Sequence, residues 1–210
     1  MKYLYYLLGH FPHLLVFLTY IYCLISVYKT KNKSSLKASY IVYFSVAALV
    51  TLLSTILNLT ISYTCAFLFI SFDFIFFLNR ADLLKRISIY ILPFLFLMNL
   101  ILVKYFSEYF ALNNMLSFYS VFINIFILIF LLLHNKLKIC NQDYEDVFWF
   151  NASYKFYAIS TISCDLVLLF GEFGERSWTY LFIYNIIYGI WITKSFFLLK
   201  SYKCTLSKDL

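Results

Sequence analysis

Long stretches of this chain contain almost no charge, and that limits the solvents in which it can fold. Residues 11–28, 38–57, 87–103 and 115–133 hold no Asp, Glu, Lys or Arg. Three more stretches, 61–78, 152–170 and 178–199, admit only Asp73, then Lys155 with Asp165, then Lys194. About 20 helical residues cross a hydrocarbon layer of roughly 30 Å, since each advances the helix by about 1.5 Å. Charged residues make up 13% of the 210, against about a quarter in soluble domains, so the chain lacks the polar coat a water-soluble globule needs. The expectation is an all-α, polytopic membrane protein with seven transmembrane helices. They form one domain over 1–199, and 200–210 form a short cytoplasmic tail.

The links support this division. Pro12 either starts the first span or lies inside a longer helix reaching back toward Tyr3. Asn58-Leu59-Thr60 separates the second span from the third, whose joint length is too great for one crossing. Residues 79–86 and 104–114 are polar links. Residues 134–151 form the longest connection, basic at Lys136 and Lys138 and acidic at Asp143, Glu145 and Asp146.

Fourteen of the 17 Lys and Arg fall at one set of span ends, including Lys29, Lys37, Arg80, Lys136 and Lys200; only Lys2, Lys104 and Arg176 fall at the other. The positive-inside tendency makes the basic side cytoplasmic, which puts the N-terminus outside and the C-terminus in the cytoplasm of a multi-pass cell-membrane protein. The formal charge of +7 reflects this bias, scattered over short membrane-proximal links, so no nucleic-acid partner is expected.

Charged and amide side chains inside spans are the candidates for function, because hydrocarbon makes them costly unless they are paired or face a polar interior. Asp73 and Lys194 share a depth toward the basic side and are read as an inner polar pair. Asp165, Asn99, His13 and His10 share a depth toward the other side and are read as the lining of a ligand pocket. Asn124 and Asn185 at middle depth read more simply as interhelical hydrogen-bond formers. The five cysteines have neither CxxC nor metal-ligand spacing, His10 and His13 alone do not make a zinc site, and no cofactor is expected. No catalytic motif is present; His13, Ser163 and Asp165 only supply the residue types of a hydrolase.

The helical plan with its basic inner links, Asn113-Asn114 before the fifth span, Trp149 followed by Tyr154 near the sixth, and Tyr184-Asn185-Ile186-Ile187 leading to Lys194 and Ser195 resemble small seven-helix membrane proteins and sensor-like modules of bacteria. The resemblance implies a sensory fold and assigns no ligand. The leading expectation is a membrane sensory or accessory protein that recognises a small apolar or amphipathic molecule or relays a state to a membrane partner. A transporter or channel subunit is the alternative, and a membrane-embedded enzyme the second. The expected partners are membrane lipids and either another membrane protein or further copies of the chain.

Overall fold

The structure is a computed structural model that describes residues 2–30, 35–56, 59–80, 112–138, 145–171 and 178–206; side chains are described over 11–30, 35–54, 65–80, 115–132, 145–171, 178–179 and 181–205. The described residues form six helices: α1 (Lys2–Tyr28), α2 (Ser35–Ile56), α3 (Leu59–Arg80), α4 (Leu112–Lys138), α5 (Glu145–Phe170) and α6 (Trp178–Leu206).

This corrects the expectation of seven spanning helices. Among the described residues there are six helices, and four of them, α1, α2, α4 and α6, carry a stretch long and apolar enough to cross a membrane. The expected span 87–103 lies outside the described residues. Helix α5 has 26 residues but spends four positions on Glu145, Asp146, Lys155 and Asp165. Helix α3 packs protein around its lower half, where Asp73 to Leu78 are all buried.

Element boundaries moved for identifiable reasons. Helix α1 runs unbroken through Pro12. Helix α5 begins at Glu145, seven residues before the expected Ala152, so the acidic end of the long link is the first helical turn. Carboxylates there complement the unpaired N–H groups and the positive end of the helix dipole. Helix α6 continues to Leu206, so the first residues of the expected tail prolong it, with Ser201 and Tyr202 buried.

The six helices close a circle in chain order: each packs on the next, and α6 returns to α1. The distribution of side chains is inverted relative to a soluble bundle. Large apolar groups such as Leu18, Leu49, Phe118, Phe122, Ile125, Ile129, Ile159 and Phe182 face outward. Thr51, Ser71, Asp73, Ser120, Asn124, Thr161, Asp165 and Lys194 are buried inside. Water would penalise the first set and lipid the second if it were turned outward, so the arrangement is that of a largely apolar membrane protein in contact with lipid.

One end of the bundle is pinned by polar contacts. Arg80 on α3 reaches Asp146 on α5 at 3.4 Å, and the Ser201 hydroxyl on α6 donates to the Asp146 carbonyl at 2.7 Å. Thr30 and Tyr202 share a hydrogen bond of 2.7 Å, and Lys37 Nζ donates to the carbonyls of Tyr28 and Thr30, which ties the end of α1 to the start of α2. This is the basic end; His13, Ser117, Asp165 and Tyr184 mark the opposite half.

Ile125, near the middle of the outward face of α4, tests the lipid assignment. Ile125→Arg is expected to cost about 3 kcal/mol of insertion free energy and to reduce the membrane-integrated fraction after alkaline extraction. Ser35→Arg, exposed at the basic end, should leave that fraction unchanged. Equal tolerance at both positions would contradict the assignment.

Candidate functional site

Two polar stations occupy the interior. The first joins α3 to α6 across the circle. Lys194 Nζ donates to both carboxylate oxygens of Asp73, at 2.6 and 2.5 Å. The pair is enclosed, with side-chain exposures of 4% and 3%, so neither charge can be satisfied by solvent. Neighbours supply what solvent does not. The hydroxyls of Tyr43 on α2 and Tyr154 on α5 donate to Asp73 Oδ1 at 2.9 and 3.1 Å. The ammonium of Lys194 also lies over the rings of Tyr154 and Tyr157, at 4.2 and 3.8 Å from their centroids, where the electron-rich faces attract a cation. Four helices thus meet at one ion pair.

Aromatic packing sets the positions of these donors. Tyr43 lies 4.3 Å from Phe76, centroid to centroid, and Tyr154 lies 4.8 Å from Phe77 and 5.0 Å from Phe150. Phe76 and Phe77 follow Asp73 by three and four residues, so one face of α3 carries both the carboxylate and the surfaces that orient its partners.

The second station is a cavity of about 320 Å³ in the half of the bundle away from the basic end. Its walls come from α1 (His13, Val16), α2 (Val50, Thr51, Ser54), α3 (Ala66, Ile70), α4 (Leu116, Ser117, Ser120), α5 (Tyr157, Thr161, Asp165) and α6 (Tyr184, Ile187, Tyr188, Trp191). Three polar atoms in this lining are buried and make no hydrogen bond: Asp165 Oδ2, Thr161 Oγ1 and Trp191 Nε1. An unmade hydrogen bond in a buried site costs about 1–3 kcal/mol, and more for a charged group. All three belong to side chains that line this cavity. At the wall, the Tyr188 hydroxyl meets His13 Nε2 at 2.5 Å and ties α6 to α1.

Tyr157 belongs to both stations, and Trp191 packs beside it. Each lines the cavity, their rings are 6.4 Å apart, and Tyr157 lies directly against Lys194. Trp191 packs on Phe69 at 4.9 Å, one turn above Asp73 on α3. The cavity and the ion pair are therefore separated by a single layer of aromatic side chains.

The structure brings Asp73 and Lys194 into contact and places Asp165 and His13 in one cavity lining. Asn99 and the His10 side chain lie outside the described residues. Ser163 is exposed and bonds the Ile159 carbonyl of its own helix, so it does not join His13 and Asp165 as a nucleophile. Asn124 is buried and bonds the Ser120 carbonyl and hydroxyl, while Asn185 bonds the Leu181 carbonyl. The Asn185 bond stays within its own helix, while Asn124 also hydrogen-bonds Tyr157 across the interface of α4 and α5, as an interhelical role requires. Among the described residues no group of three or more His, Cys, Asp or Glu is placed to hold a metal ion. Sequence reasoning missed Thr161, Trp191 and the tyrosines around Asp73. Thr161 and Tyr157 precede Asp165 by four and eight residues, a helical spacing that lies on one face. Comparison with protein-family models, curated proteins and solved structures finds no match to the chain.

Removing a hydroxyl that serves a charge should cost more than removing one that serves a neutral partner. Tyr43→Phe and Tyr154→Phe are each expected to lower unfolding free energy by about 1.5–3 kcal/mol, and Tyr202→Phe, which loses only its bond to Thr30, by about 0.5–1.5 kcal/mol. Denaturant titration in mixed micelles measures all three. The reverse ranking would contradict a charged Asp73.

Proposed function

We propose that the chain is a sensory or accessory membrane protein that admits a small amphipathic molecule to the cavity and passes its occupancy toward the basic end. The observation that carries this reading is that Asp165 Oδ2, Thr161 Oγ1 and Trp191 Nε1, which make no hydrogen bond, belong to side chains that line one largely apolar volume. An apolar body fits the Val16, Val50, Ile70, Leu116 and Ile187 walls, and a polar end meets the three atoms. The lining draws on all six described helices, so an occupant touches every element whose relative position it could change.

The route of the relay follows from the shared aromatic layer. A ligand that presses on Tyr157 or Trp191 shifts the rings that hold Lys194, and Lys194 is bonded to Asp73 on the far side of the circle. Below the pair, Trp149 on α5 packs on Phe197 of α6 at 5.4 Å, and Lys200 Nζ lies 3.5 Å from the Trp149 ring centroid. A recess of about 740 Å³ at the basic end, lined in part by Ser35, Phe76, Arg80, Asp146 and Thr205, gives a membrane partner a surface on which to read the change. The concentration of Lys and Arg there supports a cytoplasmic basic end, hence a cavity on the outer side, an external N-terminus and a cytoplasmic C-terminus.

Fluorine NMR of protein labelled with 5-fluorotryptophan tests the reading, because the chain's three tryptophans report on different levels: Trp191 at the cavity, Trp149 near the basic end and Trp178 at the start of α6. Ala66→Phe inserts a ring into the cavity and imitates occupancy. It is expected to shift the Trp191 resonance and to change the populations reported by Trp149 by about fivefold, the lower range of ordinary allosteric coupling. Leu49→Phe on the outward face of α2 should change neither. A Trp149 signal indifferent to the filled cavity would rule out the relay.

A further inference from the structure

We propose that the cavity's ligand is an amphipathic amine whose ammonium pairs with Asp165. This deepens the reading above and rests on it. Three observations point to the same chemistry. Asp165 is buried to 5% exposure; Ser117 and Ser120 hydrogen-bond its carboxyl, and Oδ2, which makes no hydrogen bond, is a position an N–H donor can fill. Among the described residues Asp165 is the single carboxylate in the lining and no Lys or Arg joins it, so a positive ligand meets no fixed cation from them. Beside the hydroxyl side chains of the lining, Tyr157, Tyr184, Tyr188 and Trp191 offer ring faces of the kind that stabilise a desolvated ammonium.

The polar balance also selects among cations. Lys194, the one buried ammonium among the described residues, is held by a carboxylate together with tyrosine faces. The cavity presents a second carboxylate and further aromatic faces with the cation missing. A quaternary ammonium has no N–H for Oδ2, whereas a primary or secondary amine does. The hydroxyls of Thr161, Ser117 and Ser120 stand beside the carboxyl for the remaining N–H groups. The apolar walls favour a hydrocarbon or aryl body over a bare inorganic ion.

The ammonium can belong to a free amine or to a lipid headgroup, and both present the same group to Asp165. The test titrates 5-fluorotryptophan-labelled protein, in nanodiscs of phosphatidylcholine and phosphatidylglycerol, with three probes of one shape: 2-phenylethylammonium, 2-phenylethanol and phenylacetate. Saturable movement of the Trp191 resonance by the ammonium, at an affinity at least tenfold above that for the alcohol, is expected. Asp165→Asn should remove that preference, and Thr161→Val should weaken the ammonium by a smaller factor. Repeating the titration with phosphatidylethanolamine in the disc separates the sources: competition assigns the site to a lipid headgroup, and undiminished affinity assigns it to a free amine, each upholding the ammonium.

Saturable binding of the alcohol equal to or tighter than that of the ammonium in wild-type protein overturns the amine and leaves a neutral ligand for the same cavity. A response to sodium chloride alone that matches the response to the ammonium also overturns it, in favour of an inorganic cation. If none of the probes moves Trp191, the amine and the ligand-taking cavity fail together. The wild-type comparison stands even where Asp165→Asn fails to fold.

Discussion

The fold is organised around the ion pair between Asp73 and Lys194. A closed circle of helices gains most of its contacts between neighbours, and α3 and α6 are not neighbours. They are joined across the circle by a carboxylate and an ammonium that are both buried, and by Trp191 packed on Phe69. Burying two charges costs several kcal/mol each, and attraction repays that only where geometry is good and the remaining hydrogen bonds are supplied. Tyr43 and Tyr154 supply them on the Asp73 side, and the faces of Tyr154 and Tyr157 on the Lys194 side. Exchanging the pair for apolar residues would give a bundle with less reason to prefer one rotation of its helices over another.

The second station has the opposite economy. Around Asp73 every polar demand is met within the protein; around Asp165, Thr161 and Trp191 it is not. Two carboxylates in one bundle thus sit in contrasting states, one closed by a lysine and one facing an open volume. The contrast gives the proposed function its direction, from a site that accepts an occupant to a site that holds the helices together. Tyr157, shared between the two, and Trp191 beside it are the side chains through which the stations sense each other.

Sequence alone revealed depth along the membrane normal but not rotation about each helix. Asp73 and Lys194 could be paired because counting residues from the span ends put them at one level, and Asp165 and His13 share a cavity for the same reason. Tyr43, Tyr154 and Tyr157 were hidden among 20 tyrosines and 25 phenylalanines, since an aromatic facing lipid and one solvating an ion pair look alike in a linear string. Helix α6 mixes apolar and aromatic residues around its whole circumference, so nothing in the sequence announces that Trp191 points inward. Of the expected spans outside the four, 87–103 lies outside the described residues, and α5 falls short because Glu145, Asp146, Lys155 and Asp165 interrupt it. The start of α5 was misplaced because Glu145 and Asp146 read as a polar link, whereas in space they cap a helix and meet Arg80 and Trp149.

The most direct measurement of the central claim is a double-mutant cycle on the ion pair, using Asp73→Asn, Lys194→Met and their combination, with unfolding free energy read by denaturant titration in mixed micelles. Each single change leaves a buried charge without its partner and is predicted to cost about 3–5 kcal/mol, while the combined change costs no more than either alone. Losses that simply add would show that the two residues act independently and that the circle does not depend on their contact.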